Sequence, residues 1–246
     1  MFFVALLLVS VTSAATINFC GTGGFAPAGN NAALPGGIGT ISSAPGNFAC
    51  KTENTPGGEV AGLGVSGGHT TDEIDVGEHL LISLTTGSGT IGYTVDSIKL
   101  GFLFNGTEYQ DPNEEGMLTV NFAGGGTGYI KFRVSGEDVL TIFATSGNLP
   151  GAPGATSTCF TPTTFNGGGG CFVLSDPFGG AVVTSVKFEA LSVTPRPPAP
   201  NDSDYVLSSI TLSPVNEATE EIPEPSTYAL MGLGLLAVGI LKRRAA

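Results

Sequence analysis

The stretch DEIDVGEHLLISLTTGSGTIGYTVDSIKLGFLF, Asp72 to Phe104, decides the fold class. From His79 onward its apolar residues recur at every second position. Leu80, Ile82 and Leu84 alternate with Leu81, Ser83 and Thr85, and Ile98, Leu100, Phe102 and Phe104 alternate with Lys99, Gly101 and Leu103. A period of two sends successive side chains to opposite faces of a pleated strand, so both runs are expected to be half-buried antiparallel strands. Ile130, Phe132 and Val134 repeat the pattern around Lys131 and Arg133. Further runs at Ile91–Val95, Leu118–Phe122, Val139–Phe143, Val182–Val193 and Tyr205–Leu212 bring the expected strands to about eight, separated by Gly, Asn, Asp and Pro. No part of this region carries a capped helical stripe. The expected fold is all-β, a jelly-roll-like antiparallel β-sandwich.

Outward from that stretch the chain divides into a leader (residues 1–15), a body (16–215), a short linker (216–222) and a tail (223–246). Within the body, residues 16–68 are rich in Gly, Pro, Ala and Asn, and are expected to form an irregular cover over one face, with a strand only at Glu59–Val65. Pro195–Pro200, PRPPAP, reads as a stiff surface connection before the last strand. The leader, MFFVALLLVSVTSAA, has an apolar run from Phe2 to Leu8 followed by Ser13-Ala14-Ala15, the pattern of a secretory signal peptide cut near Ala14 or Ala15, although no Lys or Arg precedes the run. A buried first strand is the alternative.

At 246 residues the chain can bury one ordinary core. It carries 21 acids against nine bases, for a net charge of -12, and three of the bases sit in the last five residues. Residues 16–222 hold 20 acids and six bases, a balance of -14 (6 minus 20). Such a surface repels polyanions and excludes a nucleic-acid partner. In an exported chain the four cysteines are expected to be bridged. Three connectivities are possible; the local pairs Cys20–Cys50 and Cys159–Cys171 are preferred because each staples a Gly-rich stretch. Neither pair has the C-x-x-C spacing or the neighbouring histidine of a zinc site.

The tail runs EIPEPSTYALMGLGLLAVGILKRRAA, Glu221 to Ala246. Tyr228 to Leu241 would make a helix about 21 Å long, short against a hydrocarbon core of about 30 Å, and Lys242, Arg243 and Arg244 would hold its far end in the cytoplasm. The triplet Pro223-Glu224-Pro225, the apolar helix and the terminal basic cluster resemble the PEP-CTERM sorting signal. That resemblance implies an inner-membrane transpeptidase, an exosortase, as partner. It implies transient residence in the inner membrane, removal of the tail, and a final place at the cell surface or in an extracellular polysaccharide layer. Asp72 to Phe104, with the acidic DPNEEG after it, also resembles exported bodies of this group, which implies a β-sandwich surface protein and no particular ligand. The role expected of such an acidic exported body is structural or glycan-binding.

The chemistry of the body is less specific. GLGVSGGH, Gly62 to His69, contains both a G-x-G-x-x-G and a G-x-S-x-G, but no helix pattern follows either, so a glycine-rich loop is expected. His69 and His79, the only two histidines, fit no metalloprotease or triad pattern and read as surface residues. The acids Asp72, Glu73, Asp75 and Glu78, and the turn residues Asp111, Asn113, Glu114 and Glu115, gather the hard oxygens that calcium requires. A calcium site drawing on Asp72, Asp75, Glu78, Asp111, Asn113 and Glu115 is one expectation; solvated loop charges are the other. No catalytic residue is assigned and the body is expected not to be an enzyme, the alternative being a glycan-directed hydrolase using these carboxylates.

Overall fold

In the computed structural model the described residues are 13–55, 58–87, 89–104, 113–136, 139–147, 149, 154–157, 169–192, 203–216, 230–233, 235 and 243. Residues 1–216 and 217–246 form separate units.

The alternation read from the sequence becomes strand. His79–Leu84 (β6) buries Leu80, Ile82 and Leu84 and turns His79, Leu81 and Ser83 outward. Before it come Ala15–Asn18 (β1), Asn31–Ala33 (β2), Gly39–Ala44 (β3), Phe48–Thr55 (β4) and Gly58–Val65 (β5); after it come Thr90–Phe104 (β7), Glu115–Phe122 (β8), Thr127–Gly136 (β9), Val139–Ser146 (β10), Gly154–Ser157 (β11), Gly169–Ser175 (β12), Val183–Ala190 (β13) and Val206–Asn216 (β14). All fourteen belong to one curled sheet whose strands pair antiparallel.

The sheet has two wings. One runs β10-β9-β8-β13-β6-β3-β2. The other runs β11-β12-β7-β14, with β1 and β5 sharing the far edge of β14 and β4 beyond β5. A single pair, Val183 with Tyr93, joins them. Both wings feed one apolar core: Ile41, Ile82, Leu118, Phe132 and Phe188 from the first cluster with Leu63, Ile98, Leu100, Phe172, Leu174 and Ile210 from the second.

Three expectations change. The runs at 91–95 and 98–104 are one strand, because Ser97 pairs with Thr211 of β14 and Ser175 of β12 while Asp96, at a register shift against β14, accepts from the Asp176 N–H at 2.8 Å. Its alternation breaks at Phe102, whose φ of +56° lies in the left-handed region. Leu103 thereby enters the main core, and Phe102 joins a small cluster with Val60, Cys171 and Val206. The front segment is not an irregular cover: five strands lie between Ala15 and Val65. Its glycines conceal this, because they bury backbone where other strands bury side chains. A Cβ on Gly62 would fall 2.2 Å from Val206 Cγ2, and one on Gly64 would fall 2.3 Å from the Asp72 carbonyl oxygen.

The first part of the predicted leader, residues 1–12, lies outside the described residues, as do Pro195–Pro200. Ala15 is the first residue of β1, opposite Leu212. Cys20 and Cys50 are bridged, tying the end of β1 to β4; Cys171 is also disulfide-bonded, and Cys159 lies outside the described residues.

Candidate functional site

The two acidic clusters of the sequence converge at the start of β14. The loop between β5 and β6 carries Glu73, Asp75 and Glu78; the residue before β8 is Glu114; two residues before β14 stands Asp204. Their exposures are 2%, 3%, 4%, 1% and 8%. Five carboxyls are thus taken out of water, which requires that each be paired, hydrogen-bonded or protonated.

Backbone pairing brings these segments together. Val65 N–H donates to the Glu73 carbonyl at 2.9 Å, and Ile74 N–H donates to the Tyr205 carbonyl at 2.8 Å, so the loop runs between β5 and the start of β14. The Val134 N–H donates to the Glu114 carbonyl at 3.0 Å, and the Glu115 N–H donates to Ser203 Oγ at 2.5 Å, fixing the third segment. Tyr205, wholly buried, anchors the junction through its hydroxyl, which donates to the Glu189 carbonyl at 3.2 Å, and an edge-on contact with Phe132 at 5.6 Å.

Lys51 on β4 supplies the cation, its Nζ 2.8 Å from Glu73 Oε1. Burial alone would lower the Lys51 ammonium, but the charge of Glu73 and their hydrogen bond raise it above its usual value. Burial pushes Glu73 up, against the pull of Lys51. Asp204 is pushed up to about 8, first by burial and then by the charge of Glu73, while a hydrogen bond with Glu114 pulls it down. Lys51 seen from one side favours an ionised Glu73, whereas burial seen from the other favours a neutral one. The geometry decides for a charged Glu73, because the ammonium lies at ion-pair distance, and the proton then rests on Asp204, whose neighbours Glu73, Glu114 and Asp75 are all acids.

Asp75 accepts from the Thr70 N–H at 2.9 Å and from the Thr70 hydroxyl at 2.5 Å. Glu78 Oε2 accepts from the Asp75 N–H at 3.1 Å, while the Glu78 N–H donates to the Asp75 carbonyl at 2.9 Å. Burial pushes the Glu78 carboxyl up and the Asp75 charge adds to this, while the amides of Asp75 and Gly68 pull it down.

The candidate calcium residues therefore divide. Asp75 and Glu78 are buried side by side, and Asp72 is half-buried. Asn113 is exposed, Glu115 turns outward into an ion pair with Arg133, and Asp111 lies outside the described residues. What joins the two acidic stretches is instead Glu73 and Glu114, through Asp204 in NDSDY, a residue the sequence reading passed over. Among the described residues no group of three or more His, Cys, Asp or Glu forms a ready-made metal cage. GLGVSGGH is half strand and half loop: Gly62–Val65 end β5, and Ser66–His69 pass over Asp75 with no helix after them.

In the second unit Leu230–Leu233, Leu235 and Arg243 are helical; Pro223, Glu224, Pro225, Lys242 and Arg244 lie outside the described residues. Among the described residues no helix is long and apolar enough to cross a membrane. Fold and tail together define an all-β protein with a C-terminal sorting segment. Residues 221–244 match the PEP-CTERM protein-sorting motif. That motif implies an exported protein sorted by an exosortase. No curated protein and no solved structure matches the chain.

Proposed function

We propose that this is an exosortase-sorted surface or extracellular-matrix protein whose β body, read as a jelly-roll sandwich, has a structural or glycan-binding role in an exopolysaccharide layer and no catalytic activity. In this reading residues 1–15 direct export, a helix over 228–241 holds the chain in the inner membrane, and removal of the tail places the body at the surface. The observation that carries the proposal is the sorting motif at 221–244, joined to a body that turns its densest acids inward. Carboxylates buried against Lys51, Thr70 and one another support a holding role more than the attack on a substrate that a hydrolase needs.

Two measurements test this. The intact mass of the protein from a host carrying the processing enzyme is expected to lack Tyr228–Ala246; retention of the tail there would overturn the sorting step. Incubation with the producing organism's own polysaccharide is expected to show saturable binding without release of sugar. Reducing ends that disappear in Asp75→Ala would instead make it a hydrolase, and no binding would leave a structural protein.

A further inference from the structure

The ion pair beside the start of β14 carries one inference beyond this role. We propose that Lys51 and Glu73 join covalently once the chain has folded: the Lys51 amine condenses with the Glu73 carboxyl to an amide, with loss of water and with Asp204 carrying the protons.

The primary observation is the placement of the three groups. Lys51 Nζ lies 2.8 Å from Glu73 Oε1, and Asp204 is hydrogen-bonded to the same Glu73 carboxyl. Nucleophile, acyl group and acid thus stand in contact, and backbone pairing fixes each of them. Lys51 pairs with Gly62 of β5 and follows the bridged Cys50; the Val65 N–H donates to the Glu73 carbonyl at 2.9 Å; the Ile74 N–H donates at 2.8 Å to the carbonyl of Tyr205, the residue after Asp204. Two reactants held in this way reach effective molarities on the order of 10⁵ M or more, which favours a condensation that dissolved amines and carboxylates barely undergo. Phe102 is a second sign. Its left-handed φ of +56° takes the ring out of the main core, and the ring centroid lies 4.7 Å from Lys51 Nζ. Backbone held in that region gathers at sites where geometry has a task.

Burial drives the step. The Glu73 side chain is 3% exposed and that of Lys51 20%, so both charges are largely withdrawn from water, where an ion pair is costly. Moving one proton along the 2.8 Å contact, from Nζ to Oε1, removes both charges and leaves an amine beside a neutral acid. The Nζ lone pair then attacks Glu73 Cδ. Asp204 gives its proton to the carboxyl as the tetrahedral centre forms and recovers one from the nitrogen. One Cδ–O bond then breaks, its oxygen leaving as water with a proton from Asp204, which is replaced from the oxygen that remains. An ammonium and a carboxylate have become one amide and one water, nothing is oxidised or reduced, and Asp204 ends as it began. Glu114, hydrogen-bonded to Asp204, keeps that proton within the cluster.

The test uses the full-length chain purified in detergent. Trypsin is expected to leave the wild type uncut after Lys51. A protease that cuts after glutamate, and so at Glu53 and Glu59 between the two residues, is expected to yield a branched peptide joining the Lys51 segment to the Glu73 segment, lighter by one water than its two parts. Lys51→Arg keeps the charge and removes the nucleophile, so its chain should retain the water and give the two peptides unjoined. Asp204→Asn, refolded from urea with its disulfides intact, should join at least about a hundredfold more slowly than the wild type refolded beside it. A wild type cut fully after Lys51, with no branched peptide, would overturn the proposal. Equal rates in the wild type and Asp204→Asn would overturn the part given to Asp204, and joining that runs as fast in wild type held in urea would overturn catalysis by the fold. The wild-type digest decides the matter even where a variant does not fold.

Discussion

The interior of this protein is built in two ways. Under the wings it is apolar, with Ile82, Leu118, Phe132, Phe188 and Ile210 wholly buried; at the start of β14 it is made of carboxyls, with Glu73, Glu114 and Asp204 together and the Lys51 ammonium against Glu73. The first kind of burial is favourable under any solvent condition that leaves the hydrophobic effect intact. The second holds only while a proton and a cation compensate it. The sharpest way to separate them is therefore pH. Asp204 has a folded-state value of about 8 against an ordinary 3.8, so the neutral acid is the form the fold prefers. Its contribution is complete below the unfolded value and is lost as pH rises toward 8, on the order of 5 kcal/mol across the window. Glu73 and Glu78, also raised, act in the same direction. The Tm, measured in chelator from about pH 5.5 to about pH 8.5, should fall as pH rises, and Asp204→Asn should flatten that slope. A wild-type Tm that is level or rises with pH would mean the cluster is not held by a proton.

The apolar interior should answer in the opposite manner. Phe188 lies on β13, where the first wing pairs with both β6 and β8, and is wholly buried. Phe188→Ala should cost about 3–5 kcal/mol, read from urea melts, with the same loss at both ends of the pH range. A loss that itself varied with pH would show the two parts of the interior to be one cooperative network.

The contrast also explains what could be read beforehand. Alternation reported β6, β8 and β9 because there the residues that bury carry large side chains. It was silent on β1 to β4, which are short or, like β3, bury small residues such as Gly39 and Ser43 beside one large one, Ile41, and on how β5 packs, because Gly62 and Gly64 let backbone meet Val206 and Asp72 directly. It misassigned Phe102 and Leu103 because a left-handed residue shifts the phase without any mark in composition. The acids were visible as two clusters, and Asp75 and Glu78 were among those picked out. Their meeting was not visible, since it depends on β14 lying between β7 and β5, and sheet order is set by non-local pairing. Asp204 gave only one signal, an acid directly before the apolar run that starts at Tyr205.

Between the two kinds of interior stands the Cys20–Cys50 bridge. Cys50 precedes Lys51 on β4, so the bridge fastens the strand that delivers the ammonium to Glu73. Reduction should cost about 2–4 kcal/mol by freeing a loop of 30 residues' separation in the unfolded chain. Because β4 also carries Lys51, the bridge holds in place the strand that presents the ammonium to Glu73. Cys20→Ser with Cys50→Ser, melted beside the wild type, checks this, and an unchanged Tm would show that the bridge adds nothing to the fold.

The smallest effect belongs to a charge that the two interiors do not share. Glu115 follows Glu114 by one position, yet β8 turns it to the outer face, where it pairs with Arg133 on β9. Arg133 also lies over the Phe143 ring, 4.9 Å from its centroid. The side chain is 44% exposed, so water screens the pair and the ring contact alike. Arg133→Ala should cost no more than about 1 kcal/mol and should weaken further in high salt. Adjacent residues of one acidic run would then differ several-fold in what their surroundings are worth, because a strand's pleat sends one into a proton-bearing interior and the next onto the outer face beside an exposed arginine. A large, salt-insensitive loss in Arg133→Ala would instead extend the charged interior to the outer face of the first wing.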